Sequence, residues 1–213
     1  MSRAAVMKGV GVAALMALAS ATAAAGVTVT FGSTAAPTYA TTLNFDEPGT
    51  PTGIVATTYW QSSHGIVLGA GVGDGAVGNF ESVVDFEWLG DENVFEAPFG
   101  AFMNFDAPVT AFSAQVWDNA GPPDFISGGM VIFIASGGQE LYFDIVTPTF
   151  SDFGPTWINI VADAGESFDD IRFVGQAFGA AFTYVDNMSW NAVPAPSSLA
   201  LLAMGGLAAR RRR

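Results

Sequence analysis

"VTAFSAQVWD", Val109 to Asp118, decides the fold class. Phe112, Ala114 and Val116 fall on one side of an extended chain, Thr110 continues that side, and Ser113 and Gln115 fall on the other. A period of two is what a strand with one dry and one wet face requires, because successive side chains point to opposite faces of a sheet. Almost no stretch of the chain shows the three-to-four-residue period of an amphipathic helix.

Working outward, similar β-prone runs recur, separated by Gly, Pro, Asn and Asp. They are "GVTVTF" from Gly26, "TTLNF" from Thr41, "GIVL" from Gly65, "SVVDFEW" from Ser82 and "GAFMNF" from Gly100. After the opening stretch come "GMVIFIAS" from Gly129, "ELYFDIV" from Glu140, "TWINIVA" from Thr156, "FDDIRFVG" from Phe168 and "AAFTYVDNMSW" from Ala180. The spacing is roughly 8 to 15 residues, the rhythm of an all-β protein. Short strands with frequent turns predict an antiparallel β-sandwich of jelly-roll type over residues 26–191. No internal repeat of fixed period points to a solenoid or propeller.

The charges are segregated. All twenty acidic residues lie between Asp46 and Asp186, where Arg172 is the one basic residue, leaving the middle at a formal charge of about −19 against −13 for the whole chain. Phosphate contacts need Lys or Arg, so nucleic acid is excluded as a partner. Divalent cations are the opposite case, because binding Ca²⁺ relieves repulsion among carboxylates. The chain has no cysteine, so neither a disulfide framework nor a thiolate metal site is available.

The remaining basic residues mark the ends. Arg3 and Lys8 precede an apolar run from about Gly9 to Ala19, followed by small residues that offer Ala-x-Ala sites ending at Ala23 or Ala25. That is the plan of a secretory signal helix over residues 1–25, cut by signal peptidase after export across the inner membrane. At the other end Ser198 to Ala209 would rise only about 18 Å as a helix, against roughly 30 Å of hydrocarbon. Pro194 and Pro196 resist joining it. Arg210, Arg211, Arg212 and Arg213 would stay on the cytoplasmic side and stop transfer, leaving the acidic domain outside. A short hydrophobic helix of this kind holds the chain in the membrane transiently.

Taken in order, Val193, Pro194, Ala195 and Pro196, the short apolar helix and the terminal arginines resemble the PEP-CTERM sorting signal of Gram-negative-type bacteria. Ala195 stands where that family has glutamate. The resemblance covers residues 192–213 and implies an exosortase-type processing enzyme as partner. It further implies a place at the cell surface or in the extracellular polysaccharide matrix. It leaves the work of the middle open.

There the motifs are sparse. Gly73, Gly75 and Gly78 match G-x-G-x-x-G, but between β patterns in a negative chain they read as a hairpin or surface loop. His64 is the one histidine and reads as a loop residue beside Ser62 and Ser63. Asp85 with Glu87, or Asp169 with Asp170, would be the paired carboxylates of a glycoside hydrolase or lyase. Scattered among twenty acids, they read as solvated surface.

Calcium has two candidate sites. In many jelly-roll carbohydrate-binding modules, to which this architecture is similar, a structural Ca²⁺ ties the first strand to the last. That similarity implies Asp46 and Glu47, with Asn44, together with Asp186 and Asn187. The second is the loop holding Asp91, Glu92, Asn93 and Glu96, rich in oxygen ligands without EF-hand order. Tyr59, Trp60, Trp88 and Trp117 are the candidates for a sugar-stacking platform, with core burial as the competing role. The expected function is a non-catalytic binding or structural role at the surface or in exopolysaccharide. A carbohydrate-binding module is the first alternative and a glycoside hydrolase or lyase the second.

Overall fold

The computed structural model describes residues 26–32, 35–79, 93–118, 130–146, 156–175 and 182–193. The expected signal peptide, Pro194 onward, Asp85, Glu87, Trp88, Asp91 and Glu92 lie outside the described residues. The described chain is all-β, with one short helix. In order it runs β1 (Val27–Gly32), β2 (Thr41–Leu43), β3 (Gly53–Ile54), α1 (Gln61–His64), β4 (Ile66–Ala70), β5 (Ala76–Gly78) and β6 (Val94–Pro98). There follow β7 (Ala101–Asp118), β8 (Met130–Ser136), β9 (Gln139–Val146), β10 (Thr156–Ala162), β11 (Phe168–Gly175) and β12 (Phe182–Ala192). No described helix is long and apolar enough to cross a membrane.

All the pairings are antiparallel and belong to one sheet, organised by β7. The runs from Gly100 and from Val109, expected as separate strands, form this single strand of 18 residues. Residues 101–105 pair with β4, and this end of β7 also pairs with β11. Residues 111–116 pair with β10, and this end also pairs with β12. The strand changes partners around Pro108, where a missing amide costs least because the ladder is already irregular. Two halves result: β4–β7–β11–β8–β9, and β1–β10–β7–β12, with β2 and then β6, β5 and β3 beyond β12.

Both halves feed one hydrophobic core. Leu68, Met103, Ile132, Ile171 and Phe173 come from the first half, and Phe112, Ala114, Ile158, Ile160 and Trp190 from the second. At about 1.5–3 kcal/mol for each large apolar side chain removed from water, this cluster is what offsets the entropy of ordering so many strands. On β7 the inward set shifts from odd to even positions between Phe105 and Phe112, and Thr110 is the extra residue in the pairing with Asn191 and Ala192. Thr110, expected to continue the apolar side, is therefore exposed.

The other departure from expectation concerns the wet face, on which Ser113 was placed. Ser113 is buried. Because β1 and β2 pair on opposite sides of β7, the chain between them crosses the outside of the second half, and residues 35–40 lie over Ser113 and Ser189. The sequence pattern missed β3 and β5, each too short for alternation to register, and also β6 and α1. Gly65, at φ 67, ends that helix by returning its amide to the Gln61 carbonyl.

Candidate functional site

On the first half, the residues that alternate with the core point outward and fall into rows. Ile171 and Phe173, Ile132 and Ile134, and Met103 face the core. Phe102, Arg172 and Phe133 accordingly face out, and the register sets Arg172 opposite both Phe102 and Phe133, and Phe133 opposite Phe143. The next row carries Val174, Val131 and Ile145. Phe143 and Ile145, on edge strand β9, are 55% and 51% exposed. An in-register apolar face of this kind is unlike scattered surface residues, which need no explanation.

Arg172 sits at the centre of that face. Its guanidinium carbon lies 5.4 Å from the Phe102 ring centroid and 5.1 Å from that of Phe133. Its Nε and Nη2 donate to the two oxygens of Asp170 at 3.1 and 2.5 Å. The hydrogen bond to Asp170 raises the guanidinium pKa further above its ordinary value, against the opposing effect of burial. An exposed ion pair is worth about 0–1 kcal/mol and a surface cation–π contact about 0.5–1, so the rings hold the group as firmly as the carboxylate does. The result is a neutralised cation flattened among phenylalanines.

The edge beside this face is guarded. Asp144 Oδ1 accepts the Ile145 amide at 2.8 Å, and Oδ2 accepts the Tyr142 hydroxyl at 3.3 Å. Burial, then the nearby Asp144 charge, raises the Tyr142 pKa. A carboxylate folded onto an edge amide discourages another strand from pairing there.

The outer face of the second half is polar and largely covered. Tyr39 N donates to Ser189 Oγ at 2.9 Å, and Ser113 Oγ donates to the Pro37 carbonyl at 2.8 Å. The Tyr39 hydroxyl donates to Asn159 Oδ1 at 2.6 Å, and Ala40 N to Asn191 Oδ1 at 3.1 Å. Beyond this strap a further row sets Gly32, Trp157, Gln115 and Asp186 side by side. Asn187, with φ 48, forms a bulge and donates through Nδ2 to Gln115 Oε1 at 2.6 Å and Asp186 Oδ2 at 3.0 Å. Trp117 stacks on Tyr184 at 5.7 Å, and Tyr184 hydrogen-bonds Glu96. Burial pushes the Glu96 carboxyl above its usual range, partly offset by that bond. Burial and then the Glu96 charge raise the Tyr184 phenol well above its ordinary value.

The residues singled out from sequence are mostly dispersed or occupied. Trp60 and Trp117 are 3% and 4% exposed, so neither offers a ring face to a sugar. Trp60 packs edge-on to Phe45 and Phe95 at 5.4 and 6.3 Å. Tyr59 is 47% exposed and packs on Trp60, while Trp117 stacks on Tyr184. No three described His, Asp or Glu side chains gather, so Asp46, Glu47 and Asp186 do not form the expected calcium set. Strand β6 displaces the chain after β2 from the edge of β12, carrying Asp46 to Asn93 instead, whose amide and side chain donate to Asp46 Oδ1 at 2.8 and 3.1 Å.

Asp169 and Asp170 are likewise engaged. Asp169 accepts the Gly137 amide with both oxygens, while Asp170 holds Arg172. His64 ends α1, its Nδ1 2.8 Å from Ser63 Oγ. Gly73 and Gly75 lie in the connection between β4 and β5 and Gly78 ends β5, and Gly75 is required because a Cβ there would lie 2.1 Å from the Phe95 ring.

The features that sequence reasoning missed are Phe102, Phe133, Phe143 and Arg172 as one surface, and Trp157 beside Gly32. The usable signal was Arg172, the one basic residue between Asp46 and Asp186, inside an alternating run that leaves it on the opposite face from Ile171 and Phe173. No protein-family model, curated protein or solved structure matches this chain.

Proposed function

We propose that this is an exported, tail-sorted protein of the bacterial surface or extracellular matrix, which acts by binding, without catalysis, through the face centred on Arg172. In this reading the two halves of the sheet close on their shared core as a sandwich of jelly-roll type. Signal peptidase removes the first 25 residues and an exosortase-type enzyme handles the tail from Val193 onward. The observation that carries the binding role is the in-register row Phe102, Arg172, Phe133 and Phe143, exposed at its Phe143 end. Burying such side chains against a partner gains the same apolar free energy that drives the core.

The test is retention in a Gram-negative host with an exosortase. Wild-type protein is expected in the envelope or matrix fraction, and Phe143→Glu in the medium with an unaltered melting temperature. Equal retention of the two would remove the Arg172 face from the account.

One observation favours carbohydrate binding as a second reading. Trp157 is partly exposed in the row beside Gly32, which has no side chain to cover it, and Gln115, an amide suited to sugar hydroxyls. Neutral oligosaccharides should then change tryptophan fluorescence in the wild type and not in Gln115→Ala.

A further inference from the structure

We propose that the body of this protein folds while both of its terminal apolar segments are still in the membrane, and that it meets the bilayer through one end, formed by Gly26, Ala164, Pro108 and Val193. The inference rests on the reading of the two termini as export and sorting signals. Val27 pairs with Ala162, and Asp163 N donates to the Gly26 carbonyl at 3.0 Å. Ala192 pairs with Val109, and Val193 N donates to the Pro108 carbonyl at 2.7 Å. Thr28, Val161, Ala111 and Asn191 are successive partners in one row across β1, β10, β7 and β12, and the chain leaves that row in the same direction toward Gly26 and toward Val193. Three strand spacings of about 4.8 Å put the two exits about 14 Å apart. Two helices, each about 10–12 Å wide, fit side by side at that separation.

Pro108 stands at an end of the body although it lies in the middle of β7. Phe173 is opposite Ala101, yet its ring lies 6.3 Å from that of Phe112. A straight strand would carry Phe112 about 36 Å beyond Ala101. Strand β7 therefore doubles back between Phe105 and Phe112, with Pro108 at the corner.

The tail leaves that corner without slack. Val193 is still bonded to β7, and Pro194 has no amide with which to extend the pairing. Only residues 194–197 separate Val193 from the apolar run that begins at Ser198. They reach at most about 14 Å, of which the headgroup layer takes about 5–8 Å. With that run in the bilayer, the corner of β7 is held against the headgroups. Asp106, Asp163 and Glu166 give this end no attraction for lipid phosphates, so the contact is imposed by the termini and ends when both are cut. The Arg172 face, set opposite Phe102 and away from the corner, stays clear of the bilayer meanwhile.

The absence of cysteine gives a clean test. Ala164→Cys places a thiol on the exposed turn after β10, and Val72→Cys places one beyond the Ala70 end of β4, the end away from Phe105. Each is labelled with the same nitrobenzoxadiazole maleimide in the full chain, Met1 to Arg213, and reconstituted in phosphatidylcholine vesicles whose headgroups carry a nitroxide. Quenching at Ala164→Cys is expected to be at least threefold stronger than at Val72→Cys, and the vesicle-bound chain should keep its near-ultraviolet circular dichroism and melt cooperatively. Equal quenching, or stronger quenching at Val72→Cys, would overturn the contact through the corner. A vesicle-bound chain without a cooperative melt would overturn folding under the two tethers. In both of those cases the reading of the termini stands. A chain that does not float with the vesicles removes that reading, and the inference with it.

Discussion

Ser113 and Ser189 share a hydrogen bond of 2.8 Å between neighbouring strands, and together they pass a chain of donors from one end of the strap to the other. Because Ser113 gives its proton to the Pro37 carbonyl and Ser189 accepts the Tyr39 amide, the proton between the two hydroxyls belongs to Ser189. Two strands and the segment crossing them are thus tied by side chains that read as a solvent face in the sequence.

Breaking that relay has a defined cost. Ser113→Ala leaves the Pro37 carbonyl and the Ser189 hydroxyl short of partners under the strap, at about 2 kcal/mol. Ser189→Ala should cost a similar amount, and the double variant clearly less than the two together, because each single change already breaks the same chain. Urea denaturation of the four proteins measures this. Strictly additive losses would show that the hydroxyls act separately.

The β6–β7 turn offers a change of opposite sign. Phe99 holds φ 59 with its side chain largely in solvent, and Gly100 follows at φ 115. A left-handed backbone costs an ordinary residue roughly 1–2 kcal/mol, which Asn largely escapes because its short polar side chain can hydrogen-bond locally. Phe99→Asn should therefore raise stability by about 1 kcal/mol in thermal or urea denaturation. A loss would mean that the ring contributes packing not evident from its exposure.

The alternation in Val109 to Asp118 made the β class legible, since period two is a local property. The partner change of β7 was not, because nothing local tells Phe105 and Phe112 that they serve two halves of a sheet. Trp60 and Trp117 misled for a related reason: an aromatic residue offers the same sequence signal whether it packs on Phe45 or on a ligand. Asp46 and Asp186 sit near opposite ends of the domain in sequence, and β6, which was not foreseen, determines what lies beside Asp46. The Arg172 face was readable in part, as one cation in an alternating run, but its row of rings exists through the registers of β7, β11, β8 and β9.

Alkaline pH should find Tyr184. Folded Tyr184 keeps its proton where a free phenol loses it, near pH 10, so above that pH the folded chain binds more protons than the unfolded one. Stability then falls as pH rises, by about 1.4 kcal/mol per unit for this group. The raised phenols of Tyr39 and Tyr142 act in the same direction. Glu96 has the same sign lower down: its raised carboxyl pKa makes its contribution decline as pH climbs out of the carboxylate range. Tyr184→Phe should flatten the limb above pH 10 in denaturation series, and parallel limbs for the two proteins would contradict the assignment.

Intact-mass measurement of the protein recovered from a fractionated exosortase-bearing host addresses the export claim most directly. The account predicts a chain outside the inner membrane that begins near Ala24 or Gly26 and has lost its terminal arginines, with the acidic domain whole. Recovery of the complete polypeptide, from Met1 to Arg213, in the cytosolic fraction would contradict it.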